Sequence, residues 1–204
     1  MILFVDCETT GLPKDWGAPS SDAASWPRLV QLGWLLSEER IVRSLFRPKV
    51  PPPAPVPTVR TVRPVGFAVP ADAVAIHGIT TERATAEGVD LAGVLDEFAA
   101  AFAACGEVVA HNARFDRKIL EAEFLRLGRP VPWASQKDRW KCTMLRTVRM
   151  CAARQPNGSG KFPRIDELYQ RLFSRRPDSL AHLAGNHVEQ LCDCWRELRR
   201  RGVM

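Results

Sequence analysis

No stretch of the 204-residue chain approaches the roughly eighteen uncharged apolar residues that a membrane-crossing helix needs. Glycine is sparse, 13 residues with no three-residue period, which excludes a collagen-like chain. The first residues, Met1-Ile2-Leu3-Phe4-Val5-Asp6, lack the basic segment and cleavage site of an export signal. The six cysteines have no regular spacing, so they read as reduced thiols of a cytoplasmic protein rather than as a disulfide framework. What remains is of ordinary globular make-up, 46% hydrophobic and 25% charged. Such a composition excludes disorder and predicts a single domain over 1–204 with a sizeable core.

The net charge of +6 is unevenly placed. Residues 1–138 carry 15 Lys and Arg against 17 Asp and Glu, a net of −2, whereas residues 139–204 carry 14 against 6, a net of +8. A basic C-terminal third suits a polyanionic partner; a solvated basic surface is the plainer alternative.

Along the chain, an apolar run over 1–6 reads as a strand, Arg28 to Ser37 as a second and Ile41 to Phe46 as a third, with a polar turn at Ser37-Glu38-Glu39-Arg40. Between Pro48 and Pro57 six of ten residues are proline, which cannot sustain a sheet ladder. This segment reads as a surface excursion or a docking segment for a protein partner. Helices are expected from Pro70-Ala71-Asp72, from Asp90 to Ala104, from Phe115 to Leu127, from Thr143 to Ala153, from Pro163 to Phe173 and from His182 to Arg201. Short strands at Glu107–Ala110 and Arg139–Met144 alternate with them. The expected architecture is α/β, a mixed sheet flanked by helices.

Three segments carry chemistry. In Phe4-Val5-Asp6-Cys7-Glu8-Thr9-Thr10-Gly11-Leu12 an apolar strand runs into two carboxylates. Strand alternation points Asp6 and Glu8 to one face, where their repulsion is relieved by a divalent cation. In His111-Asn112-Ala113-Arg114-Phe115-Asp116 a third carboxylate stands in the first turn of a helix after a strand. Helix capping would explain Asp116 alone, but such junctions are also where open sheets place their sites. The third segment is His182-Leu183-Ala184-Gly185-Asn186-His187. Gly158-Ser159-Gly160-Lys161-Phe162 lacks the residues of a nucleotide-phosphate loop.

Together with Ile76-His77-Gly78-Ile79-Thr80, these segments resemble the DnaQ-like exonucleases, the DEDD family of RNase H-like fold, and most closely its histidine subgroup (DEDDh). The resemblance covers nearly the whole chain. It implies a metal-dependent 3′→5′ exonuclease acting on DNA or RNA, single-stranded or at a 3′ end, through two Mg²⁺ or Mn²⁺ ions. Asp6, Glu8 and Asp116 would hold the metals, and His182 would take the proton from the attacking water. Thr9, Thr10, Gly11 and Leu12 would cradle the terminal nucleotide, with His77 and Asn112 near the cleft. Arg146, Arg149, Arg154, Lys161 and Arg164 are candidate phosphate contacts along a strand. No polymerase region is expected, so proofreading would need a partner.

One position departs from the family. Its third motif is His-x-Ala-x-x-Asp, and here His187 stands where the last metal-binding Asp is expected. A rival register takes His187 as the base and Asp193 as the carboxylate, but that spacing is one residue too long, a rotation of about 100° on a helix, and Ala184 fits only the first register. In the first register His187 becomes a metal ligand. Neutral imidazole brings no charge and favours borderline cations. Three outcomes stay open: altered metal preference, a weak enzyme, or a non-catalytic nucleic-acid-binding module.

Overall fold

A computed structural model of the chain describes residues 1–38, 56–152, 154, 158, 160–177 and 183–204. Strand β1 (Ile2–Thr9) is buried throughout except at the half-buried Asp6. It pairs antiparallel with β2 (Leu29–Ser37), which sets Asp6 opposite Gly33 and Glu8 opposite Gln31. An antiparallel edge strand, β3 (Thr58–Thr61), follows on β2. On the other side β4 (Glu107–Ala110) runs parallel to β1, and β5 (Trp140–Cys142) parallel to β4. The order β3-β2-β1-β4-β5 places β1 at the centre, with both faces covered. That is why its first five residues are uninterruptedly apolar or terminal rather than alternating.

Seven helices are described: α1 (Ala71–His77), α2 (Thr81–Glu87), α3 (Leu91–Ala104), α4 (Ala113–Arg126), α5 (Thr143–Cys151), α6 (Ile165–Phe173) and α7 (Ala184–Arg200). Leu3, Val5 and Cys7 of β1 enter one core with Leu95 and Phe98 of α3 and Ile119 and Leu120 of α4. Ile2 and Phe4 enter a second core with Val188, Leu191 and Trp195 of α7. Each fully buried Leu or Phe in these layers contributes about 1.5–3 kcal/mol through apolar burial. The strand's period of two makes Asp6 and Glu8 the continuation of the row that faces α7. Hydrophobic packing along the first half of β1 therefore aims the two carboxylates at the start of that helix.

The seat of α7 is specific. A Cβ on Gly33 would stand 2.7 Å from the Ala184 carbonyl carbon and 2.8 Å from its oxygen, so only glycine lets the first turn of α7 rest on β2. Leu183 offers α7 no side-chain cap. Instead Gln31 of β2 accepts the Ala184 N–H at 3.2 Å and donates from its amide to Thr61 Oγ1 at 3.0 Å. One of the helix's orphan donors is thus satisfied by tertiary structure.

The α/β expectation holds, with differences in detail. The third strand described is Thr58–Thr61, directly after the Pro-rich stretch, a segment too short and flanked by too much proline for sequence patterning to assign. The strand expected at Ile41–Phe46, the turn after Glu38 and Pro48–Pro55 lie outside the described residues. Helix α2, capped by Thr80 Oγ1 accepting the Arg83 N–H at 3.2 Å, was not expected. Helix α4 begins at Ala113 rather than Phe115, because Asn112 takes the left-handed conformation (φ 83°) that turns β4 directly into the helix. Among the described residues no helix is long and apolar enough to cross a membrane.

The contact at Gly33 is testable. Gly33→Ala should cost about 1–3 kcal/mol of unfolding free energy, the usual penalty for overpacking, measured by urea denaturation. Wild-type stability in this variant would show that α7 does not need the bare backbone.

Candidate active site

Asp6 and Glu8 meet His187 on the first turns of α7. His187 Nδ1 lies 3.1 Å from Asp6 Oδ2 and 3.5 Å from Glu8 Oε1. The donor atoms of the three residues all fall within 4.8 Å of one another, and among the described residues they are the one such cluster of three or more metal-type donors. Glu8 is 8% exposed, and its buried Oε1 has no hydrogen-bond partner. A buried carboxyl oxygen without a hydrogen-bond partner is costly to ionise unless a cation meets it. Two carboxylates and an imidazole converging there fit a divalent cation.

The third carboxylate approaches from the other side. Asp116, 2% exposed in the first turn of α4, accepts the Cys7 N–H on Oδ1 at 3.0 Å. Because Cys7 lies between Asp6 and Glu8, this bond ties Asp116 to the strand segment that carries them.

The electrostatics follow from burial and crowding. Burial, and then the Asp6 charge, push the Glu8 carboxyl up to about 8, against the pull of His187. Burial and Asp6 likewise hold Asp116 well above the usual carboxylate range. Burial alone would depress His187, but the charge and hydrogen bond of Asp6, with Glu8 and Asp166, raise it to about 9. Without a cation, protonated His187 is the counter-charge of the cluster.

Asp193, the carboxylate of the rival register, lies two turns on, half-exposed and 3.8 Å from Arg196. Position 187, not 193, meets Asp6 and Glu8. His182 lies outside the described residues.

The turn after β1 is held firmly. Thr9 Oγ1 donates to the Gly11 carbonyl at 2.7 Å, and Thr10 exchanges bonds with Arg28 through its backbone N–H and its Oγ1, both at 2.9 Å. Arg28 and Leu29 are fixed in turn by the fully buried Glu123 of α4, which accepts the Leu29 N–H at 2.9 Å and the Arg28 Nε–H at 3.0 Å. Leu12 projects from this turn, 74% exposed.

A cleft of about 710 Å³ opens beside the cluster, and Asp6, His187 and Asn112 line it together with Phe162, Arg164 and Arg176. Arg146 and Arg149 are exposed on α5 and are not among its lining residues, whereas Met144 of the same helix is. At 100° per residue, Arg146 points about 160° away from Met144. His77 is buried at the end of α1, where Nδ1 accepts the Ile79 N–H at 3.1 Å; burial lowers its pKa, with the Thr9 backbone opposing. It is not among the residues that line the cleft.

Two positioning residues escape the motif reading, and a third stands in a motif without a role assigned to it. Gly33 and Gln31 seat α7, and a glycine inside an apolar strand is the available sign of a close backbone approach. His111 is the third. Its Nε2 lies 2.7 Å from the Pro163 carbonyl, which can only accept, so this nitrogen carries the proton and Nδ1 accepts from Thr143 Oγ1 at 2.9 Å. Burial lowers its pKa, in keeping with a neutral ring. His111 thereby ties the end of β4 to the chain entering α6, the far wall of the cleft.

A family model described as the RNase T exonuclease matches residues 56–184, more than half of the chain. Asp116 lies inside the match; Asp6, Glu8 and His187 lie outside it. No curated protein sequence matches. Among solved structures the chain is similar to Escherichia coli exonuclease I in complex with a dT13 oligonucleotide, at 19% identity and a TM-score of 0.69 over 98% of this chain and 41% of that one. It is similar to exonuclease I of Methylocaldum szegediense at 18% identity and a TM-score of 0.69, over 98% and 40%. A zinc-bound form of the Escherichia coli enzyme with single-stranded DNA gives 21% identity and a TM-score of 0.69, over 98% and 40%. The likeness shows a shared RNase H-like α/β fold, and the chain spans about two fifths of the length of these proteins.

The proton affinities of the cluster predict how the metal-free chain responds to pH. Glu8 (ordinarily 4.5, here about 8) and His187 (ordinarily 6.5, here about 9) keep protons in the folded state that the unfolded chain has lost, as does Asp116. Stability therefore falls as pH rises. The Glu8 penalty grows from 4.5 to about 8, and the His187 contribution, complete below 6.5, is lost through about 9. Thermal melts of chelator-treated protein at pH 5, 7 and 9 should show a steady drop in Tm. A flat or rising Tm would contradict the charge assignment.

Proposed function

The chain belongs to the RNase T family of exonucleases, and from that premise we propose that it is a divalent-cation-dependent nuclease of the DEDDh type that removes nucleotides from nucleic-acid 3′ ends. The observation that carries this reading is the convergence of Asp6, Glu8 and His187 beside an open cleft at the C-terminal end of the central strand. Exonuclease domains of this family generally use divalent metals. Asp6, Glu8, Asp116 and His187 are the residues we assign to holding two such ions, Mg²⁺ or Mn²⁺. When bound, the ions supply positive charge against the scissile phosphate and acidify the attacking water.

The chain's own groups do the rest. His182 is assigned the proton of the attacking water, a task suited to an imidazole of ordinary pKa. His111 is unfit for it, since both its ring nitrogens are engaged and burial keeps it neutral. Leu12, exposed beyond the braced Thr9–Gly11 turn, is assigned to press against the terminal base. Phe162, 59% exposed at the cleft, offers a second apolar surface, and Arg164 and Arg176 offer phosphate contacts. Arg164 is among the phosphate contacts expected from the sequence, and Arg176 adds to them at the cleft.

The oligonucleotide complexes of the structural neighbours favour single-stranded DNA as the substrate to try first. The six cysteines, all free thiols, support a cytoplasmic setting.

The test is hydrolysis of single-stranded oligonucleotides labelled at either end, with Mg²⁺ or Mn²⁺. Nucleotides should be released from the 3′ end. Asp6→Asn, of the same size but neutral, should lower turnover by about 100-fold or more, since changing even a residue behind a metal ligand costs 10–100-fold. Undiminished turnover in Asp6→Asn would sink the site assignment. Oligonucleotide binding without cleavage in either metal would leave a nucleic-acid-binding module instead.

A further inference from the structure

We infer that Asp6, Glu8 and His187 together form a single mixed carboxylate–imidazole site that selects a first-row transition cation, with Mn²⁺ as its probe, over Mg²⁺. This inference rests on the metal-binding reading above and adds which class of cation this chain's own residues prefer.

The first ground is geometric. Adjacent ligands on one octahedral cation with bonds of about 2.1 Å stand about 3.0 Å apart, and on one tetrahedral cation about 3.4 Å apart. His187 Nδ1 is 3.1 Å from Asp6 Oδ2 and 3.5 Å from Glu8 Oε1. Without a cation the shorter separation is a hydrogen bond; the same separations put the unprotonated ring nitrogen within reach of an ion held between the two carboxylates.

The second ground is the unmet oxygen. Glu8 Oε1 is buried without a hydrogen-bond partner and belongs to the same set. Asp116 lies outside this three-donor set, with its Oδ1 accepting the Cys7 N–H. The three-donor site thus has two oxygens and one nitrogen.

The third ground is donor chemistry. A carboxylate at position 187 would make the set trianionic and all-oxygen, the kind that a hard cation prefers. Imidazole leaves two negative charges and one nitrogen donor. Mg²⁺ gives up water reluctantly and wants oxygen ligands, whereas affinity for nitrogen donors rises across the first-row transition cations. The ring is also held where it must act: Gly33 and Gln31 seat the first turn of α7 on β2, so His187 reaches the carboxylates without moving the helix.

The experiment uses the full chain, stripped with chelator and free of nucleic acid, titrated with MnCl₂ and, in competition, with MgCl₂. Binding is followed by the electron paramagnetic resonance of free Mn²⁺. Mn²⁺ bound to the wild type should show the nitrogen modulation of a coordinated imidazole in pulsed spectra. His187→Asp should lose that signal and narrow the Mn²⁺-over-Mg²⁺ preference by at least about tenfold, the scale of a changed metal environment. His187→Ala should lose the signal and bind Mn²⁺ at least about tenfold more weakly, and far-ultraviolet circular dichroism of both variants reports whether α7 remains folded. Absence of imidazole modulation in the wild type, or a metal preference unchanged in His187→Asp, overturns the inference. So does Mn²⁺ binding that appears only in His187→Asp, which would make His187 an internal counter-ion that stands in for the cation. The outcome separates from the nuclease reading: cleavage without the nitrogen signal removes this inference alone, and the nitrogen signal without cleavage in any cation removes the nuclease reading alone.

Discussion

The central constraint is the row of even-numbered side chains on β1. Ile2 and Phe4 lie in the core beneath α7, and the same row continues as Asp6 and Glu8. Hydrophobic packing fixes the register of the row, and the register fixes where two carboxylates must go. They arrive two residues apart, Asp6 half-buried and Glu8 buried, in a place where like charges cannot both be ionised without a counter-charge. The environment of the site follows from that demand, from the raised Glu8 and Asp116 carboxyls to the imidazole that approaches them.

Supplying the counter-charge depends on backbone geometry. Helix α7 can bring His187 to the carboxylates only because β2 carries glycine where α7 lands and a glutamine that caps its first turn. The opposite side is braced in the same spirit. Glu123, buried in α4, satisfies the start of β2 and the Arg28 guanidinium, and Arg28 holds Thr10. The site is thus mounted on paired strands and buried hydrogen bonds rather than on free loops, an arrangement that favours precise positioning of ligands.

The cleft owes its far wall to His111, whose two ring nitrogens join the end of β4 to Thr143 and to the chain entering α6. The basic C-terminal third contributes less open charge than its composition implies. Arg200 and Arg201 both pair with Glu197, and Arg164 is held by Asp166. Of its arginines, Arg164 and Arg176 line the cleft, while Arg146 and Arg149 face away from it on α5.

Much of this molecule could be read in one dimension. The β1 run, the α3 stripe from Leu91 to Phe102, the strand before His111 and the carboxylates at 6, 8 and 116 depend on local periodicity, which neighbouring residues along the chain determine by themselves. The place of His187, five residues after His182, is likewise a matter of spacing. Other features needed three dimensions. The strand at Thr58–Thr61 exists because β2 offers an unpaired edge, not because of its own four residues. Which arginines face the cleft depends on how α5 and α6 rotate as they pack. The union of His187 with Asp6, 181 positions away, depends on a bare glycine backbone in one strand receiving a helix from the far end of the chain. Such contacts join residues distant in sequence through packing and close approach, which no local pattern encodes.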